Sequence, residues 1–219
     1  MKLLLTSNGI ANQSIAKALF DLVGKKPEET SLVFIPTAAT IETGDKGWFI
    51  DDLNNLYKLG LKSISIVDIS AIPESVWLPQ IKEADVLFFE GGNTYHLMEW
   101  VNKSGLANLL LDLLKTKVYV GASAGSLITN PKIASSISRA VEDVNSNKEY
   151  STTSGLNLID FYSIPHLNSP HFLKTREENI KKIAENLEKK VYALDDNSAL
   201  SVVDGSVQVI SEGDYLIFN

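Results

Sequence analysis

The 219-residue sequence contains no cysteine and only three histidines. Without cysteine there can be no disulfide, no thiolate nucleophile and no cysteine-bound zinc, and the chain suits a reducing compartment. The histidines, His96, His166 and His171, lack the His-x-x-x-His spacing of a helical ligand pair, so neither metal nor cofactor is expected. Positive charge is also scarce. Twenty Lys and Arg against 27 Asp and Glu leave a net charge of −7, which opposes binding to nucleic acid or to an anionic membrane. Apolar runs are short, and none approaches the ~20 residues that a spanning helix needs. Met1-Lys2-Leu3-Leu4-Leu5 stops at Thr6-Ser7-Asn8-Gly9, too soon for the apolar region of a signal peptide. These absences predict a soluble, cytoplasmic protein without nucleic-acid or membrane partners. They do not predict its oligomeric state.

What is present reads as one α/β domain over residues 1–219, long enough to bury a core without covalent staples. Short apolar strands are predicted at Lys2–Thr6, Leu32–Ile35, Ile64–Val67, Val86–Phe89 and Val118–Val120. Between them, Ile15, Leu19, Leu22 and Val23, then Phe49, Leu53, Leu56 and Tyr57, then Leu97, Met98 and Val101 fall at helical spacing. A further helix covers Leu106–Leu114. Pro73 and Pro79 are expected to break up the connection between Val67 and Val86, where Trp77 plugs the core. Strands that are apolar throughout and alternate with helices imply a mostly parallel sheet covered on both faces. Residues 129–158 read as a long excursion with little regular structure. Phe161–Ile164 is a strand, Thr175–Lys190 an amphipathic helix and Val191–Leu194 a strand. The tail, through Asp204-Gly205 to Phe218, reads as antiparallel strands joined by a hairpin.

In such folds ligands bind beyond the carboxyl ends of the strands, and the chemistry-bearing residues gather there. Val118-Tyr119-Val120-Gly121-Ala122-Ser123-Ala124-Gly125-Ser126 is a strand running into Gly-x-Ser-x-Gly. That pattern describes a nucleophile elbow, in which a tight strand-to-helix turn exposes the serine hydroxyl. The Ala124 N–H, opening the next helix, would face a developing oxyanion. Gly91-Gly92-Asn93-Thr94 ends another strand, but lacks the lysine of a phosphate-binding loop. A serine nucleophile needs a base, and the base an orienting acid. His166 and His171 share a proline-bounded loop after a strand, and Asp195 and Asp196 end the next one. The order Ser, His, Asp differs from that of α/β-hydrolases.

Strand-Gly-Gly-Asn-Thr, Gly-x-Ser-Ala-Gly, Ser-Pro-His-Phe and a strand-end acid together resemble the peptidase E family. These are aspartyl dipeptidases related to cyanophycinase, built on a class I glutamine-amidotransferase-like sheet, and the likeness covers nearly the whole chain. The resemblance implies a serine peptidase acting on short peptides with an N-terminal Asp. It implies Ser123 as nucleophile, His171 as general base and Asp196 as the third member. The Gly92 and Ala124 amides would form the oxyanion hole, with Asn93 beside it and Arg176 clamping the substrate carboxylate. Asp stands at 196 where the family usually has Glu, Ala122 is smaller than the residue expected before the nucleophile, and the His171–Arg176 interval is short. A β-aspartyl isopeptidase of the cyanophycinase kind and a non-catalytic binding protein on the same sheet are the alternative expectations.

Overall fold

A computed structural model describes residues 1–133, 137 and 154–218. Strand β1 (Lys2–Thr6) leads to α1 (Gln13–Val23), which Asn12 opens by accepting the Ile15 N–H and Gly24 closes in the left-handed conformation. Then follow β2 (Ser31–Ile35), the single-turn α2 (Thr37–Thr40), α3 (Gly47–Lys58), β3 (Ser63–Ile66), α4 (Glu74–Glu83) and β4 (Val86–Phe89). Next come α5 (Thr94–Lys103), α6 (Leu106–Leu113), β5 (Val118–Ala122) and α7 (Ala124–Leu127). After residue 154 the chain forms β6 (Tyr162–Ile164), α8 (Glu177–Ala184), β7 (Val191–Leu194), β8 (Ser198–Val203), β9 (Ser206–Ser211) and β10 (Tyr215–Phe218).

The main sheet has seven strands in the order β3-β2-β4-β5-β1-β8-β9. The first five are mutually parallel, whereas β8 runs antiparallel to β1 and β9 antiparallel to β8. Every residue of β4 and β5 is buried, as a parallel sheet with helices on both faces requires. Side chains alternate between two cores. Leu3, Leu5, Val33, Ile35, Leu87, Phe89 and Tyr119 pack on one face, and Leu4, Leu32, Phe34, Val86, Phe88 and Val120 on the other. A smaller sheet, β10-β7-β6, carries its own cluster beneath α8. Among the described residues, no helix is long and apolar enough to cross a membrane.

Three expectations change. The connection with Pro73 and Pro79 contains helix α4, with Pro79 inside it and exposed. Trp77 and Ile81, one turn apart, are buried against the sheet, and that burial offsets the hydrogen bond the proline removes. Helix α8 is shorter than its amphipathic pattern. Past Ala184 the chain tightens into turns, while Leu187 still packs on the cluster. Strand β10 does not extend the β8–β9 hairpin. The Asp195 carboxylate accepts the Asp214 N–H at 2.7 Å, and the Asp195 N–H donates to the Asp214 carbonyl. These bonds turn the chain so that β10 pairs antiparallel with β7. The middle of the 129–158 excursion lies outside the described residues. Its two ends meet, with Leu156 and Leu158 N–H groups donating to the Ile128 and Thr129 carbonyls.

Trp77→Ala is expected to cost about 3–5 kcal/mol in denaturant unfolding. Pro79→Ala, which returns a helical N–H at an exposed position, should raise the thermal midpoint.

Candidate active site

Ser123 sits between β5 and α7 with φ 46° and ψ −103°, a conformation that a non-glycine residue holds only when its surroundings impose it. Several bonds impose it here. The Ser123 N–H donates to the Thr6 carbonyl at 3.1 Å. The Ser126 hydroxyl lies within bonding distance of the Thr6 and Gly121 carbonyls, and Tyr119 OH donates to the Gly125 carbonyl at 2.6 Å. Gly125 is a matter of space, because a Cβ there would lie 2.1 Å from the Phe89 carbonyl oxygen. The elbow is therefore pressed onto β4, and Ser123 stays partly accessible.

The imidazole that meets this serine belongs to His166, not His171. His166 Nε2 is 2.9 Å from Ser123 Oγ, and its Nδ1 is 2.6 Å from Asp196 Oδ1. The physical reason lies in the topology. His166 follows Pro165 directly off the end of β6, and Asp196 stands two residues beyond the adjacent, parallel β7, so both leave the small sheet on the same side. His166 itself has a positive φ of 65°. Its carbonyl accepts from the Thr175 hydroxyl and the Ser169 N–H, and the Leu167 N–H donates to the Leu194 carbonyl. His171 lies five residues further round this loop and is exposed. Its neighbour Phe172 occupies the space instead, stacked on the His166 ring at 3.8 Å between centroids and 6° between planes.

Asp196 Oδ1 meets the His166 ring, while Asp195 is engaged elsewhere. Asp195 Oδ1 accepts from the Asn197 N–H and the Ser198 hydroxyl, which makes it a brace of the β7–β8 turn. Burial alone would push the Asp196 carboxyl up. The hydrogen bond and charge of His166, with help from the Ser7 hydroxyl, outweigh burial and bring its pKa down to about 2. Asp196 is thus an anion wherever the imidazole next to it could need one.

Ser7 is the residue that sequence reasoning missed. Its fully buried hydroxyl donates to Asp196 Oδ1 at 2.8 Å and accepts the His166 backbone N–H at 2.7 Å. It directly follows β1, which lies next to β5, so the rule that sites gather at strand ends would have singled it out.

Across from the histidine, the turn Gly91–Gly92 follows β4. Gly91 lies against Ser123, since a Cβ on it would be 3.3 Å from Ser123 Cβ and 3.9 Å from the exposed indole of Trp48. Gly92 has φ +124°, and a Cβ there would fall 2.4 Å from the Ala38 carbonyl oxygen, so only glycine fits. Asn93 fixes the end of this turn. Its N–H donates to the Ala38 carbonyl and its side chain caps α5 by accepting the His96 N–H. Among the described residues, the Gly92 and Ala124 N–H groups have no hydrogen-bond acceptor. Arg176 donates from Nη1 to the Ser169 carbonyl at 3.0 Å, bracing the loop that carries His166. No cluster of three or more metal-binding side chains occurs among the described residues.

An ionised carboxylate, an imidazole and a hydroxyl in line, with a glycine turn packed beside the serine, can carry nucleophilic acyl transfer. Comparisons with known proteins point to a peptidase. A model of peptidase family S51 matches residues 3–210. An uncharacterized peptidase of Listeria innocua is 28% identical over 181 residues, covering 81% of this chain and 82% of its own. Peptidase E of Streptomyces coelicolor is 26% identical over 100% of this chain and 87% of its own. The fold also matches a solved structure of a peptidase E protein from Listeria monocytogenes. Its TM-score is 0.79 at 24% identity, with 97% of this chain and 98% of that one covered. The matched span holds all but the first residue of the parallel strands together with Ser123, His166 and Asp196, and the chain belongs to peptidase family S51.

Proposed function

We propose that the protein is a serine peptidase that hydrolyses short peptides, with Ser123, His166 and Asp196 as its triad. The observation that carries this reading is the unbroken hydrogen-bonded line from Asp196 Oδ1 through the His166 ring to Ser123 Oγ, at 2.6 and 2.9 Å. Asp196 holds the Nδ1–H tautomer, which leaves Nε2 as the acceptor of the serine proton. Ser123 Oγ then bonds to the scissile carbonyl carbon as its proton passes to Nε2. The resulting oxyanion is received by the Gly92 and Ala124 N–H groups, each donor worth roughly 3 kcal/mol of barrier. The imidazolium returns its proton to the leaving amine as the C–N bond breaks. Water, deprotonated by the same nitrogen, then releases the acyl group.

The curated relatives named peptidase E support a peptidase, and the resemblance to that family supports a dipeptidase preference with an N-terminal Asp in the substrate. Arg176 we read as a brace of the histidine loop, since its guanidinium bonds to that loop's own Ser169 carbonyl. A panel of Asp-x, Glu-x, β-aspartyl and neutral dipeptides decides the specificity. Asp-x is expected to be turned over fastest, and Arg176→Ala to lower kcat on every substrate alike. Selective loss of Asp-x binding would make Arg176 the clamp instead.

A fluorophosphonate should label Ser123 in the folded protein. His166→Ala should lower kcat/KM by on the order of 10⁴-fold or more, with His171→Ala close to wild type. An unlabelled Ser123 in intact protein would rule the peptidase reading out.

Asp196 also predicts a pH dependence of stability. Its pKa is lowered from 3.8 to about 2 in the fold, so between those values the unfolded chain binds the proton more readily. The stabilisation is full above the unfolded value and is lost as pH falls through the folded one. In thermal melts the advantage of wild type over Asp196→Asn should therefore shrink as the pH is taken from 4 towards 2.

A further inference from the structure

Two carboxyl groups lie in contact behind the Gly91–Gly92 turn, and the chemistry above does not use them. Glu90, the first residue after β4, is 1% exposed, and Asp52, on the inner face of α3, is 7% exposed. Each carboxyl lies within hydrogen-bonding reach of the other and acts on its charge. A bond between two carboxyls requires a proton on one of them, because ionised carboxylates only accept.

The remaining contacts say where that proton sits. Glu90 Oε1 accepts the Gly91 N–H at 2.9 Å, whereas Glu90 Oε2 meets no donor among the described residues. An oxygen in that situation is accounted for if it is itself the O–H that donates to Asp52. Asp52 in turn lies against Gly9, after β1, where a Cβ would be 2.6 Å from its Oδ1. The other charge acting on Asp52 is that of Asp51 on the same helix, also negative. No lysine, arginine or histidine among the described residues is paired with either carboxyl. Burial, and then the neighbouring carboxyl, push Glu90 well above the ordinary range. Burial is also the main cause that brings Asp52 up to about 6.

We propose that Glu90 and Asp52, sharing one proton, are positioning residues that hold the Gly91–Gly92 turn in place for the oxyanion. The inference rests on the serine-peptidase reading. Glu90 is fixed at three points, by its N–H to the Ile35 carbonyl at 3.1 Å, by its carboxyl to the Gly91 N–H, and by the Asp52 bond to α3. With the Gly91 N–H engaged in this way, the next amide along, that of Gly92, is left for the substrate. Helix α3 also carries Trp48, one turn before Asp52, so the same bond keeps the indole beside Gly91. Loss of the shared proton sets two anions against each other in a buried site, and the turn must shift to separate them.

The test compares Glu90→Ala with Glu90→Gln, whose amide accepts from Gly91 and donates to Asp52 but cannot lose that proton. Steady-state kinetics, fluorophosphonate labelling of Ser123 and thermal melts are followed from neutral to alkaline pH. Glu90→Ala is expected to lower kcat by about tenfold or more, with KM little changed. Wild type should lose kcat and labelling rate at alkaline pH as one proton leaves, whereas Glu90→Gln should keep neutral-pH activity and lose that alkaline decline. If Glu90→Ala does not fold, the pH profile of Glu90→Gln decides alone. The proposal is overturned if Glu90→Gln falls as far as Glu90→Ala, if it keeps the wild-type decline, or if wild type has none. Failure of wild type to label at neutral pH would instead remove the serine-peptidase reading on which this one stands.

Discussion

The imidazole of His166 is held at both nitrogens, and most of the surrounding structure serves to keep it there. One side faces Ser123 at the end of β5, the other Asp196 beyond β7. These residues belong to two different sheets, so the distances hold only if the sheets are locked together at their carboxyl ends. Ser7 supplies part of that lock, because one hydroxyl joins the end of β1 to both the His166 backbone and the Asp196 carboxylate. Phe172 stacked on the ring and Arg176 bonded to the Ser169 carbonyl fix the loop from the outside. A histidine gripped in this way loses little further freedom when it accepts a proton, which is the physical value of preorganisation.

Opposite the histidine, the constraint is steric. The elbow presses Gly125 onto the Phe89 carbonyl, and Gly92 passes against Ala38, each at a distance that excludes a β-carbon. The two glycine turns are thereby fixed relative to the ends of β4 and β5, which are neighbours in the sheet. Backbone strain at Ser123 fits this picture, since a rigid sheet edge is what can hold a residue at φ 46°. The buried Glu90–Asp52 pair extends the same logic one layer back, joining the turn to α3 through hydrogen bonding rather than packing.

Much of the architecture was legible in the chain. Runs such as Val86-Leu87-Phe88-Phe89, apolar at every position, can be covered only on both faces, and the structure buries them completely. Gly-x-Ser-x-Gly located the serine turn, because few residues other than glycine tolerate its crowding. The limits of α8 and the partner of β10 were not legible, since periodicity reports which face is apolar and not where the chain must turn. The choice between the two loop histidines illustrates the limit most clearly. The resemblance of Ser-Pro-His-Phe to a family motif favoured His171, yet that segment contributes Phe172 to the site, and the ring between Ser123 and Asp196 comes from Pro-His-Leu-Asn five residues earlier.

By itself, then, the sequence determined the layered parallel sheet, the serine on its bend and the acids at a strand end, because each is a local matter of apolar pattern and backbone sterics. Only the tertiary structure decided which imidazole bridges serine and acid, that Ser7 joins them, and that Glu90 and Asp52 meet in the interior. Those contacts link residues 30 to 189 positions apart. No periodicity encodes such a distance; it is set by the order in which strands from separate parts of the chain lie side by side.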